Sequence, residues 1–193
     1  MIVDSNQSLQ QKFTSLGPVS ATSMEQLLNL ANRRQVSKGE TILRLGEVCN
    51  KIIYVEEGCL RTYFDKDGID INTDFCFENS FTTNLKSLRS GMPSESVTEA
   101  LEPAVLYEFD KDELLNLYSL SPEIESLGRK LIEELLLAQE EHAQWFKLYT
   151  PKERYIYLQD HKPEYLQRIS LSHLASYLGI ARETLSRIRK RNA

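Results

Sequence analysis

The sequence predicts an α+β fold in which a β-roll or sandwich is followed by a long helix and a C-terminal helix-turn-helix. Between Gln35 and Phe109, short β-rich runs alternate with turn residues. From Lys130 to Thr150 no Gly or Pro interrupts a helical pattern, and two short amphipathic segments then meet at Gly179. With 41% hydrophobic and 26% charged residues among 193, the composition excludes collagen-like and disordered classes.

The first half of the chain is predicted to consist mainly of strands. Apolar residues at helical spacing from Met24 to Leu30 predict one short helix before them. The run Asp65-Lys66-Asp67-Gly68 is a strong hairpin signal. A break in the alternation from Asn79 to Gly91 predicts a short helix that Pro93 ends. The predicted strands are Thr41 to Leu45, Lys51 to Val55, Cys59 to Phe64, Ile69 to Phe77, Ser96 to Leu101 and Ala104 to Phe109.

Helical patterns take over after Phe109. Ser121-Pro122-Glu123 predicts the start of a long helix, with Ser as the N-cap and Pro at the first helical position. Apolar residues along this helix alternate spacings of four and three, as in a coiled coil, and Ile132, Leu136 and Leu137 broaden the stripe. The alternative is a helix that packs wholly within its own chain. We therefore expect a homodimer, with an interface that contains Leu131, Leu135, Ala138, His142 and Trp145.

The most informative pattern lies between residues 169 and 191. Thr150-Pro151 predicts the start of a new helix, and further on Leu174 and Leu178 lie on one helix face before Gly179, which supplies the left-handed conformation of a tight turn. Leu185 closes the core from a second helix, and this spacing predicts a helix-turn-helix. The second helix fits the major groove of DNA, where Arg bonds guanine and Glu accepts from cytosine. Its solvent side is predicted to carry Arg182, Glu183, Ser186, Arg187 and Lys190.

The charge distribution agrees with nucleic-acid binding by the C-terminal segment. The whole chain has 23 Lys and Arg against 28 Asp and Glu, a net charge of −5. Residues 150–193 hold nine basic and four acidic residues, or +5, which leaves fourteen against twenty-four, or −10, for residues 1–149. Only the C-terminal segment is basic, and we expect Arg189 and Arg191 to contact phosphates.

The run Arg182-Glu183-Thr184-Leu185-Ser186-Arg187-Ile188 resembles the recognition helix of the Crp/Fnr transcription regulators. The resemblance covers nearly the whole chain. It implies a double-stranded, jelly-roll-like β-roll similar to cyclic-nucleotide-binding domains in residues 1–118, a dimerisation helix in 119–149 and a DNA-binding helix-turn-helix in 150–193. It also implies base reading by Arg182, Glu183 and Arg187, with phosphate contacts from Ser170, Thr184 and Lys190. The implied partners are double-stranded DNA with a pseudo-palindromic operator, a second copy of the chain and RNA polymerase.

The sequence departs from the cyclic-nucleotide-binding relatives where those hold the cyclic phosphate. In them an Arg followed by Ser or Thr neutralises the phosphate, whereas Pro93 stands at about that place in Gly91-Met92-Pro93-Ser94-Glu95. A buried phosphate without a paired cation is strongly disfavoured. We therefore expect an unidentified effector rather than cAMP, in a roll pocket formed by Phe77, Glu78, Phe81, Met92 and Ser94; the alternative is that these residues are ordinary core. A second departure is Ala181, where the family has a Ser or Thr N-cap.

The sequence lacks the residue patterns that common enzymatic and metal sites require. The three histidines, His142, His161 and His173, all follow the strands, which argues against a cupin-type metal site or haem ligation in the roll. Three scattered cysteines do not make a four-cysteine iron–sulfur cluster, and we expect them to be reduced. No Gly-rich phosphate loop, nucleophile elbow or H-E-x-x-H motif occurs. We therefore expect no catalysis, no metal and no cofactor.

The remaining expectations concern location and the competing function. No apolar run approaches the length of a membrane span, and the first residues lack a signal-peptide pattern, so we expect a cytoplasmic protein without membrane contact. The alternative function is a ligand-binding or protein-interaction β-roll module that does not bind DNA and whose terminal helices only pack.

Overall fold

The computed structural model describes residues 6–192, with side chains for residues 6–191. The chain divides into two compact units. Unit 1 comprises the chain up to Arg61 together with Phe75–Leu136, and unit 2 comprises Thr62–Asp74 together with the chain from Leu137 onward. The predicted domain boundaries at 118 and 149 stay a prediction. Residues 1–5 of the first predicted domain and residue 193 of the last lie outside the described range.

Eight described strands form two four-stranded sheets, with the orders β1-β8-β3-β6 and β2-β7-β4-β5. The pairs β1–β8, β3–β8, β3–β6 and β2–β7 are antiparallel. Both Asp67 and Gly68 have a positive φ (55° and 80°), as a tight hairpin turn between β4 and β5 requires. The strands are β1 (Asn32–Val36), β2 (Thr41–Leu43), β3 (Lys51–Glu57), β4 (Leu60–Lys66), β5 (Ile69–Cys76), β6 (Ser80–Thr82), β7 (Val97–Ala100) and β8 (Ala104–Asp110).

Helices of unit 1 pack on the first sheet around an aromatic core. Phe13 from α1 meets Phe109 of β8 edge to face, with ring centroids 5.9 Å apart, and lies 5.8 Å from Phe81 of β6. Tyr54 of β3 is fully buried in the same cluster. The helices are α1 (Gln7–Leu16), α2 (Ala21–Leu30), α3 (Leu85–Ser90), α4 (Lys111–Leu120) and the first part of α5 (Pro122–Leu148).

The predicted long helix is confirmed as α5, which continues from unit 1 into unit 2. Ser121 caps it as predicted, because its hydroxyl accepts a hydrogen bond from the Ile124 amide at 3.4 Å. Unit 2 adds α6 (Pro151–His161), α7 (Pro163–Arg168), α8 (Leu171–Leu178) and α9 (Arg182–Asn192). Thr150 and Glu153 form a capping box at the start of α6, where the sequence predicted a helix.

Several elements differ from the sequence prediction. The helix predicted for Asn79–Gly91 is confined to α3, because Ser80–Thr82 pairs with β3 as a short edge strand. Gly91 ends α3 in a left-handed conformation (φ 70°), two residues before the predicted stop at Pro93. Strand β1 and helices α1 and α7 were not predicted.

The residues predicted for the dimer interface do not share one environment. Leu131 belongs to the core of unit 1, and Trp145 is buried in unit 2. Leu135 and His142 are half-buried, and Ala138 is exposed. Leu131 and Trp145 pack inside the chain, and the predicted interface stays a prediction. The exposed apolar residues of the same helix include Leu136 and Leu137.

Candidate nucleic-acid interface

The predicted helix-turn-helix is formed by α8 and α9. Ser170 caps α8, since its hydroxyl accepts from the His173 amide at 3.2 Å. Gly179 ends α8 with φ 70° and ψ 34°, and its amide donates to the Ser176 carbonyl. The Ile180 amide donates to the Ala175 carbonyl at 3.0 Å, which completes a Schellman motif. The turn therefore depends on the glycine that the sequence analysis assigned to it.

A small apolar core holds the two helices together. Leu178 and Leu185 are fully buried, and Leu174 and Ala175 are 2% exposed. Ala175 is small enough to let α9 approach α8 closely. Ile180 and Ile188 are half-buried at the edge of this core. Because the apolar side of α9 packs against α8, the polar side of α9 faces solvent.

The exposed side of α9 carries most of the residues predicted to contact DNA. Five basic residues against one acid give this helix a charge of +4. Within residues 6–191, none of these Arg and Lys side chains forms an ion pair. Ser186 is half-buried, whereas the exposed members are Arg182, Glu183, Thr184, Arg187, Arg189, Lys190 and Arg191. The arrangement offers unpaired cations to an anionic partner.

The starts of α8 and α9 both present hydrogen-bond donors to a phosphate. Ser170 is exposed, and its oxygen accepts the α8 cap bond, so its O–H remains available to donate. Ala181 precedes α9 and its methyl group cannot cap the helix. The first amides of α9 are consequently open to an anion, which the helix dipole favours.

The β4–β5 hairpin contacts α8 within unit 2, and no sequence pattern indicated this contact. The Ser176 hydroxyl accepts from the Asn72 amide at 3.0 Å and donates to the Asp70 carbonyl at 2.8 Å. One side chain thus fastens the hairpin backbone to the first helix of the helix-turn-helix. A serine on the half-buried face of a helix has many other roles, so only the three-dimensional contact identifies this one.

An aromatic cluster lies beside α8 in unit 2. The His142 ring stacks on Tyr177 at 5.2 Å and lies 5.5 Å from Trp145. The Arg154 guanidinium lies 4.0 Å from the ring of Phe146, and burial lowers the pKa of this Arg. Burial also lowers the pKa of His142, and the positive charges of Lys162 and Arg154 lower it further. These side chains serve the packing of unit 2.

The five residues predicted for an effector pocket are not gathered around one described cavity. Phe81 is part of the aromatic core, and Met92 is 54% exposed. Glu78 accepts from the Gly58 amide at 2.9 Å, and Phe77 is half-buried. Ser94 is buried, accepts from Asn84 Nδ2 at 2.9 Å and donates to the Ser96 carbonyl at 2.7 Å. The cleft of unit 1 between α3, α4 and α5 is lined by none of the five.

Two further findings concern membrane spans and metal sites. No helix in the part of the chain that the structure describes is long and apolar enough to cross a bilayer. Within the same residues, His, Cys, Asp and Glu form no group of three that would hold a metal ion.

Comparison with known proteins bears on the fold. Residues 33–121 match the family model of the cyclic nucleotide-binding domain. No curated protein sequence matches the chain. Among solved structures, FixK2 from Bradyrhizobium japonicum is similar with a TM-score of 0.68 at 21% identity, covering 83% of each chain.

Two further structures are similar over most of their length. The c-di-GMP-responsive global regulator CLP from Xanthomonas campestris has a TM-score of 0.66 at 21% identity, covering 89% of this chain and 91% of that one. The catabolite activator protein of Thermus thermophilus has a TM-score of 0.55 at 18% identity, covering 90% and 83%. These likenesses confirm the predicted fold, a β-roll with a long helix and a C-terminal helix-turn-helix.

Proposed function

We propose that the protein is a homodimeric, sequence-specific DNA-binding transcription regulator. The match of residues 33–121 to the cyclic nucleotide-binding family model and the Crp/Fnr-type fold support this proposal. The observation that carries the proposal is the exposed, unpaired basic side of α9 above a packed helix-turn-helix core. A helix of this charge and shape fits the major groove.

The residues of α9 divide by the groups they would meet on DNA. Arg182 and Arg187 present guanidinium groups suited to guanine O6 and N7, and Glu183 can accept from cytosine N4. The phosphate contacts would come from Ser170, Thr184, Lys190, Arg189 and Arg191, with Ser186 at the edge of the surface. Phosphate contacts fix the position of the helix, while the base contacts select the sequence.

The first test measures affinity for operators selected from a random DNA pool. By fluorescence anisotropy, Arg187→Ala is expected to lose about 1–3 kcal/mol on the preferred site only. Lys190→Ala should weaken all sequences and reduce the salt slope by about 1. Lys152→Ala, an exposed cation on α6, is the matched control and should change neither quantity.

The opposite result would favour the alternative function. If association is negligible and insensitive to salt in the folded protein, or if Arg187→Ala and Lys190→Ala are both silent, the DNA-binding assignment is wrong. The C-terminal helices would then serve only packing, and the β-roll would bind the ligand or the partner protein.

For the dimer, we propose the α5 face on which Ile132 and Leu136 lie, one turn apart. Leu136 is 54% exposed and Ile132 half-buried, and Gln139 and Ala143 continue this face at helical spacing. Two such faces bury apolar surface when they meet. Leu136→Glu is expected to convert the dimer to a monomer in sedimentation velocity. Leu137→Glu is the control, since Leu137 is equally exposed but lies about 100° around the helix.

We also infer that cAMP is not the effector. The stretch in which relatives place the phosphate-binding Arg holds Pro93 and Ser94, and the Ser94 hydroxyl is already bonded within the protein. Isothermal titration of cAMP into the dimer should give no saturable heat. Micromolar binding would contradict the inference.

A further inference from the structure

Unit 1 contains a large cleft outside the roll, bounded by α3, α4 and α5. Its volume is about 880 Å³, within the range of sites that bind small organic molecules. The floor is apolar and reaches side chains that are otherwise buried: Ile52 and Leu114 are 6% exposed and Leu88 9%. Leu115, Ile132 and Leu136 continue this apolar lining toward the open side.

Basic side chains surround the apolar floor. Arg89, Lys111 and Arg129 line the cleft, and none of them forms an ion pair or a side-chain hydrogen bond within residues 6–191. Lys86 also lines it but is paired with Glu95 at 2.8 Å. The four cations and the two lining carboxylates, Glu125 and Glu133, give the cleft a net charge of +2.

We propose that this cleft binds a single-chain amphipathic anion of the fatty carboxylate class. The apolar floor matches an alkyl chain, and the unpaired guanidinium and ammonium groups of the lining match a carboxylate head. A nucleotide would need polar partners for its base and ribose edges, and the floor offers aliphatic side chains instead. The inference goes beyond the proposed function, since it concerns a ligand of unit 1 whether or not α9 binds DNA.

A second copy of the chain is the competing occupant, because Ile132 and Leu136 also belong to the proposed dimer face. The charge of the cleft argues against that occupant. A second copy would bring the same net charge of +2 to the contact, whereas an anion neutralises it.

The test uses dodecanoate, below its critical micelle concentration, in isothermal titration with the full chain. We expect saturable binding of one dodecanoate per chain. The triple variant Arg89→Gln, Lys111→Gln, Arg129→Gln should bind it at least about tenfold more weakly, since charge-assisted contacts to the head are lost. The affinity for dodecan-1-ol should stay unchanged. Lys38→Gln, which removes an exposed cation of unit 1 outside the cleft, is the charge control.

A steric pair of variants tests the location. Leu115→Trp should fill the cleft and abolish binding, whereas Leu120→Trp, on the same helix but outside the lining, should not. Circular dichroism confirms that both variants are folded. The inference is overturned if dodecanoate gives no saturable heat, or if dodecyltrimethylammonium binds as well. It is also overturned if the wild-type dimer does not bind dodecanoate and Leu115→Trp dissociates this dimer. That result would assign the cleft to the contact between copies.

Discussion

Replacing Gly179 by Ala tests the turn on which the helix-turn-helix depends. The backbone there has φ 70° and ψ 34°, a left-handed conformation that costs an L-residue about 1–2 kcal/mol. A Cβ at this position would also lie 2.9 Å from Phe146 Cζ. The Phe146 ring is 44% exposed and able to rotate away, so this contact adds less than about 1 kcal/mol. We expect a total loss of about 2 kcal/mol in the free energy of unfolding.

The matched control for this substitution is Gly39→Ala. Gly39 has a similar φ of 79°, but nothing lies within 4 Å of the Cβ that Ala would add. Urea unfolding should therefore show the backbone cost alone for Gly39→Ala, and a larger loss for Gly179→Ala that Phe146→Ala reduces. Gly179→Ala should also weaken operator binding, since the turn sets the direction of α9. A Gly179→Ala protein as stable as the wild type would refute this reasoning.

Three further predictions concern backbone, proton and hydrogen-bond effects. Gly58→Ala should cost more than about 3 kcal/mol in urea unfolding, because its Cβ would lie 2.7 Å from the Pro103 carbonyl oxygen at a φ of 93°. The lowered pKa of His142 means that the unfolded chain binds a proton first as pH falls. The free energy of unfolding should therefore decline as pH drops from about 6.5 toward the lower folded pKa. When unfolding is measured at both ends of this pH window, His142→Phe should show a smaller decline than the wild type. Ser176→Ala should lose about 1–2 kcal/mol in thermal unfolding, because the Asn72 amide and the Asp70 carbonyl lose their partner. Ser172→Ala, an exposed serine on the same helix, should stay within about 0.5 kcal/mol of the wild type.

The helix-turn-helix was predictable because its determinants are local. The leucines, Ala175 and Gly179 lie within a few turns of one another, and helical periodicity alone assigns their faces. The β4–β5 hairpin was predictable for the same reason, since its turn is set by consecutive residues. Strand β1 was not. It is an edge strand of sequence Asn32-Arg-Arg-Gln-Val36, and its pairing with β8 is a long-range contact.

Periodicity also assigned the face of α5 incompletely. The four-three spacing groups Leu131 with Trp145, but it does not say whether the same chain or another covers them. The structure covers Leu131 with the core of unit 1, so a side chain that looks unpartnered in the sequence already has its contacts. The face available to a second copy is the adjacent one at Leu136, which the sequence analysis described only as a broadening of the stripe.

The positions of the α3 cations link the roll to the cleft. Lys86 and Arg89 are the basic residues nearest in sequence to the stretch where relatives bind a cyclic phosphate. Both line the cleft between α3, α4 and α5, and Lys86 is held there by Glu95. These two cations therefore add to the positive charge that lines the cleft, which the proposed fatty carboxylate would neutralise.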